Sequence, residues 1–254
     1  MIFLVMISGL VIGSFLNVVI YRVPLGKSIL YPPSQCTACG KPIRWYMNIP
    51  VVSYLFLRGK CAYCKAPVSW IYPSVELFTG GLFLGSYLLY GNSLHTVTVI
   101  LFVLSLFVTS LIDLKHFIIP WEVLVPTFLW GIYIAVDSGM VWEHIGSFFI
   151  CGSFILSILF VGKLLYKKDV MGGGDVYYAA FIGFFLTFRV LPLFFLVSFL
   201  IGAISGLIFS VYAKKKLREH IIPFGPFLSI GGLTGFFFGE IIVDWYYITF
   251  LGGL

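Results

Sequence analysis

Apolar residues in this 254-residue chain are gathered into runs rather than scattered through it. Eight such runs stand out, at Met1–Tyr21, Ile71–Tyr90, Thr96–Ile112, Trp121–Val136, Ile145–Gly162, Val176–Phe188, Leu193–Ala213 and Phe224–Phe250. Most are long enough, or nearly so, to cross about 30 Å of hydrocarbon as a helix. They are apolar on every side, as helices surrounded by lipid and by one another should be, so amphipathic periodicity says little. The pattern predicts an all-α polytopic membrane protein of about eight transmembrane helices with a polar insert between the first two. It divides the chain into a first helix (1–21), the insert (22–70) and a transmembrane core (71–254). The short run Val176–Phe188 and its successor fit two helices joined by a tight turn at Arg189–Pro192, or one broken span. Gly80, Gly81 and Gly85 in the second helix, and Gly202, Ser205 and Gly206 in the seventh, are small enough for close helix packing.

Composition supports the membrane reading, with 60% hydrophobic, 19% aromatic and only 10% charged residues, against about 25% charged in soluble domains. The net charge of +6 sorts by loop. With eight helices and the N-terminus outside, segments 22–70, 113–120, 163–175 and 214–223 hold fifteen of the sixteen Lys and Arg, and Arg189 alone falls outside them. That is the positive-inside pattern, and it places those four segments on the cytoplasmic side of the membrane. The basic excess therefore reflects topology, with the bilayer and not nucleic acid as partner. The first apolar run has no basic segment before it and no small-residue cleavage site, so it is expected to be a retained helix rather than a signal peptide.

Four cysteines in the insert form two pairs, Cys36-x2-Cys39 and Cys61-x2-Cys64, each beside turn-forming Pro or Gly. Seven Lys or Arg and no acid lie between Arg22 and Lys65, which places the insert in the cytoplasm, where thiols stay reduced. Two such pairs predict a tetrahedral four-cysteine zinc site. Its role is structural, because four thiolates leave zinc no open position for water. Cys151, alone in an apolar run, reads as a small core residue. His95, His116, His144 and His220 show no ligand spacing and read as interfacial residues.

Reactive chemistry is sought among acids where lipid makes charge expensive. Asp113 sits at the cytoplasmic end of the third helix, next to Leu114-Lys115-His116 and before Ile119-Pro120. A carboxylate there meets the negative end of the helix dipole and is not a cap; an interfacial charge paired with Lys115 and a functional acid both fit. Asp175 follows three glycines, Gly172-Gly173-Gly174, and fits an ordinary helix cap or a second functional acid beside a backbone that a substrate can approach. Both fall on the same membrane face. Two neighbouring carboxyls in a low-dielectric cleft do not readily both ionise, so one keeps a proton while the other serves as base toward water, an arrangement that hydrolyses peptides. Glu76, about a turn into the second helix, fits a buried ion pair with the insert or a second site. Asp137, Glu143, Glu240 and Asp244 fall near the outer face, Glu122 just past Pro120, and Asp169 and Glu219 among lysines as solvated charges. A transporter relaying ions through intramembrane carboxylates, or a non-enzymatic zinc-containing scaffold, are the competing classes; the first would spread its acids through the membrane depth.

The motifs together resemble a bacterial type IV prepilin peptidase. They are Gly13-Ser14-Phe15-Leu16-Asn17-Val18-Val19-Ile20-Tyr21-Arg22-Val23-Pro24, the two cysteine pairs, Asp113 with Ile119-Pro120, Gly172-x-Gly174-Asp175 and Pro223-Phe224-Gly225-Pro226-Phe227. The resemblance covers nearly the whole chain. It implies an aspartic endopeptidase of the GxGD kind, with Asp113 and Asp175 as the catalytic pair, that removes short basic leaders from prepilins or pseudopilins at the cytoplasmic face. Many such proteins also N-methylate the new N-terminus with S-adenosylmethionine, an activity associated with the zinc-bearing region. Three positions depart from the common pattern: Met47 stands before Asn48-Ile49-Pro50 where an acid is usual, Ile71 stands where Arg is frequent, and Tyr177 stands where Lys is frequent.

Overall fold

The computed structural model describes residues 1–167, 172–213, 222–250 and 252. Asp169, Glu219, His220 and the basic residues 168, 214–216 and 218 lie outside them. Among the described residues the chain is helical, with only isolated β-bridges and no sheet. Its helices are α1 (Ile2–Arg22), α2 (Val52–Phe56), α3 (Ile71–Tyr90), α4 (Leu94–His116), α5 (Trp121–Asp137), α6 (Val141–Tyr166), α7 (Gly173–Phe184), α8 (Leu191–Ala213) and α9 (Gly225–Phe250). Every apolar run becomes a helix. Five segments are long and apolar enough to cross a membrane, namely Ile2–Leu25, Leu94–His116, Val141–Leu165, Phe188–Val211 and Gly225–Phe250. Of the rest, α3 carries Glu76, Pro73 and several hydroxyls, and α5 is short. At 12 residues, α7 is only roughly 18 Å long. It is separate from α8, joined by a turn of 3-10 helix at Phe188–Val190, so the broken-span alternative is set aside.

Two compact units divide within α4, Met1–Leu104 and Ser105–Leu254. In the first, α1 and α3 approach closely. A Cβ on Gly9 would lie 2.8 Å from the Thr79 carbonyl oxygen and 2.9 Å from Gly80 Cα, and one on Gly13 would lie 2.8 Å from Glu76 Cα. Glycines four apart let the backbones meet in this way. Gly80 takes its expected packing role against Leu10, but a Cβ on Gly81 or Gly85 would meet nothing within 4 Å among the described residues. Asn17, buried in α1, ties the pair by donating to the Tyr72 carbonyl at 3.0 Å. At the end of α1 the buried Arg22 donates to the carbonyls of Ser28 (3.0 Å) and Pro33 (3.3 Å), anchoring the start of the insert.

In the second unit α7 is the centre, with every residue from Tyr178 to Phe184 buried. α6 packs on it through Cys151, whose Sγ would be 2.5 Å from a Cβ on Gly183; Cys151 is buried, in keeping with a core role. From the other side α9 presents Gly232 to Ile182, and Gly235 and Gly239 to Val190. Gly202 of α8 faces Phe224 and Phe227. Far along α9, Arg189 meets Asp244 at 2.8 Å and Glu240 at 3.8 Å and lies over the Tyr247 ring. That cluster is 15 to 19 residues beyond Gly225, roughly 22–29 Å along the helix.

Candidate active site and metal centre

The cysteine centre is built from two copies of one turn. In the first, Cys36 N–H donates to Lys41 and Gly40 N–H to Cys36; in the second, Cys61 N–H donates to Ala66 and Lys65 N–H to Cys61. Bridges Gln35–Pro42 and Lys60–Pro67 close the two turns alike. Gly40 and Lys65 occupy the same left-handed position, φ 69° and 58°, which glycine takes freely and lysine at a cost. The four Sγ atoms lie within 4.8 Å of one another, and Cys36 and Cys64 are 3.8 Å apart. A regular tetrahedron with Zn–S of about 2.3 Å has sulfurs about 3.8 Å apart, whereas a disulfide needs about 2.05 Å. All four cysteines are free. Backbone N–H groups of Cys64 and Tyr63 point at Cys61 Sγ and pull its thiol down to about 6, whereas Cys64, despite a lowering bond from the Ala66 N–H, is pushed up to about 11 by burial and the neighbouring thiols. The cluster fits zinc in a closed four-sulfur site.

The carboxylates come from different helices. Asp113 lies inside the last turn of α4, which ends where Phe117 turns left-handed (φ 57°) and donates to the Asp113 carbonyl at 2.9 Å. Its side chain is 5% exposed and meets the N-terminus of α9: Gly225 N–H donates to Oδ2 at 2.9 Å. An anion at the negative end of α4 is thereby compensated by the positive end of α9. The contact is with Gly225 in place of the Lys115 pairing. It also demands glycine, since a Cβ there would lie 2.6 Å from Oδ2.

Asp175 is the third residue of α7, with Gly172 as the N-cap. It is 6% exposed, and its carboxylate reaches back to the Gly172 N–H. A residue at this position that bonds back to the cap is half of a capping box, so the capping reading describes a real contact made from the third position. Capping does not exhaust it, because the charge of Asp113 acts directly on Asp175. Among the described residues, a Cβ on Gly173 would meet nothing within 4 Å, and one on Gly172 would stand 3.5 Å from Asp175 Oδ2.

Supports surround the pair. Tyr177 donates its hydroxyl to the Ile119 carbonyl, fastening α7 to the segment that follows α4. Beneath the acids, Ser110 donates to Ser229 at 2.7 Å, Ser229 and Tyr178 hydroxyls lie 2.6 Å apart, and Ser229 donates back to the Gly225 carbonyl at 2.9 Å. Sequence reasoning gave neither this network nor Gly225 a role; the Pro-Phe-Gly-Pro-Phe motif at the start of a helix was the available signal. Glu76 forms no ion pair with the insert, and takes the Val51 N–H at 2.7 Å instead. His144 bonds the Phe184 carbonyl through Nδ1 at 2.6 Å.

Known proteins share both halves. Residues 7–90 match the Bacterial Peptidase A24 N-terminal domain and residues 100–207 the Type IV leader peptidase family. The prepilin leader peptidase/N-methyltransferase of Aeromonas hydrophila is 32% identical over 98% of this chain and 94% of its own length, and that of Pseudomonas aeruginosa 34% over 94% and 90%. The chain belongs to the type IV leader peptidase family. A further relative, from Myxococcus xanthus, is 39% identical over 80% of the chain, which spans 61% of that protein. No solved structure matches. Family membership makes the chain a peptidase and its helices those of a multi-pass membrane protein. The type IV leader peptidase match covers Asp113 and Asp175, and the A24 N-terminal match covers all four cysteines.

Proposed function

We propose that this protein is an aspartic endopeptidase that cleaves the leader from prepilins or pseudopilins at the cytoplasmic face, with Asp113 and Asp175 as its catalytic pair. The observation that carries the reading is that two buried carboxyls, from α4 and α7, lie near enough for the charge of Asp113 to act on Asp175, which follows Gly172, Gly173 and Gly174. Such a pair shares one proton. Gly225 N–H and the α9 N-terminus favour the charge on Asp113, which takes a proton from water as it attacks the scissile carbonyl. Asp175 then supplies the proton to the leaving amide nitrogen. Gly172 and Gly173 leave room for the extended backbone of the leader. The cytoplasmic placement rests on the loop distribution of Lys and Arg.

The relatives' second named activity extends the reading: the chain N-methylates the new N-terminus using S-adenosylmethionine. We assign zinc to Cys36, Cys39, Cys61 and Cys64, where it folds the insert and leaves hydrolysis to the carboxylates. The deciding experiment incubates purified protein with a prepilin, with and without S-adenosylmethionine, and weighs the products. Loss of the leader mass supports the peptidase, and a further gain of one methyl supports the transferase. An intact prepilin after reaction with folded protein overturns the peptidase reading.

A further inference from the structure

Ser110 of α4, Tyr178 of α7 and Ser229 of α9 bring their hydroxyls together, and the cleavage reaction as read above uses none of them. Ser229 is the hub. Its oxygen accepts from Ser110 at 2.7 Å and lies 2.6 Å from the Tyr178 hydroxyl, and its own proton goes to the Gly225 carbonyl at 2.9 Å. A hydroxyl has two lone pairs and one proton, so with Tyr178 donating, Ser229 is used to capacity. Tyr178 has no exposed surface and Ser229 has 4%.

Each member stands one helical turn from a group of the proposed active site. Ser110 is three residues before Asp113, Tyr178 three residues after Asp175, and Ser229 four residues after Gly225. Such spacings put each pair on one face of its helix, about 4.5–6 Å apart along the axis. Gly225 is held on both sides, its N–H by Asp113 and its carbonyl by Ser229. Stability is a weak reason for this placement, because a hydroxyl displaced from an interhelical bond within a membrane finds another partner. A chemically similar pair, Ser105 of α4 with Thr127 of α5 at 2.6 Å, lies eight residues before Asp113, about 12 Å along the helix. Two carboxyls that share a proton depend steeply on their separation, and a misplacement of about 1 Å can cost about 10²-fold in rate. We propose that Ser110, Ser229 and Tyr178 are positioning residues that together act as a spacer, fixing the separation of Asp113 and Asp175 by tying α4, α7 and the start of α9 together one turn from the acids. This rests on the assignment of those acids as the catalytic pair.

The test is steady-state cleavage of a prepilin by the full chain in lipid nanodiscs, with thermal unfolding as the check on folding. Tyr178→Phe and Ser229→Ala should each lower kcat at least about tenfold and leave KM within about twofold. The double variant should be no slower than the worse single, since both changes break the same link. Thr127→Val breaks the distant Ser105 pair and should keep kcat within about twofold of normal. Ser110→Thr and Ser110→Val are close in volume and differ by the hydroxyl, so the first should cleave normally and the second should be as slow as Ser229→Ala. If Tyr178→Phe does not fold, this Ser110 comparison decides. Folded Tyr178→Phe or Ser229→Ala with full kcat, a rise in KM at constant kcat, or equal losses in Ser110→Thr and Ser110→Val overturn the spacer and leave the catalytic pair standing. No cleavage by the unaltered protein, or near-normal cleavage by Asp113→Asn or Asp175→Asn, overturns the catalytic pair and the spacer together.

Discussion

The cysteine insert and the aspartate core solve the same problem, bringing ionisable groups from separate stretches of chain near one another, by opposite means. In the insert the groups lie 28 residues apart at most, and each pair is shaped by its own turn, so short-range hydrogen bonds do nearly all the positioning. In the core Asp113, Asp175 and Gly225 span 112 residues and meet only because glycine-faced helices pack α7 among α6 and α9. A locally built centre should depend on its metal and tolerate change in the helices. A centre built by packing should ignore the metal and fail when a helix end moves by an ångström.

The sharpest test of that contrast removes the carboxylates. Asp113→Asn and Asp175→Asn should each lower the cleavage rate by about 10²–10⁴-fold or more while zinc content stays at one per chain. Product masses measure the first and metal analysis the second, and near-normal processing by either variant would refute the dyad. Gly225→Ala comes next. Its methyl would displace the Asp113 carboxylate, and a shift of that size costs about 10²-fold in rate. Gly81→Ala, at a glycine that touches nothing within 4 Å, should be near neutral in the same assay.

Metal removal probes the other side. Chelation or Cys64→Ser should unfold the insert, since metal binding in such sites is folding energy, and should abolish methyl transfer while slowing single-turnover cleavage by less than roughly tenfold. A cleavage step that vanishes while methylation survives would reverse this division of labour. The smallest effect is expected from Tyr177→Phe. Losing the bond to the Ile119 carbonyl should reduce stability by about 1 kcal/mol in denaturant unfolding, with cleavage nearly intact; a loss as large as that of Asp113→Asn would give Tyr177 a part in the chemistry.

Much of this protein was legible along the chain, and the reason is locality. Helices in lipid must satisfy their own backbone hydrogen bonds, so apolar runs became helices wherever they occurred, although α7 started three residues early, inside its glycines. The cysteine spacing likewise carried the metal centre, because a Cys-x2-Cys turn organises itself. Asp113 and Asp175 could be named as candidates from the cost of placing charge in lipid together with their shared membrane face. What the sequence left open was what each acid touches: Lys115 or Gly225 N–H for Asp113, a cap or a charged neighbour for Asp175, an ion pair or the Val51 N–H for Glu76. Those answers depend on which helix ends face one another across a hundred residues of chain, and no spacing rule carries that. Tertiary packing alone brought the N-terminus of α9 to Asp113, and with it the dipole and the N–H that let a carboxylate sit buried at the wrong end of its own helix.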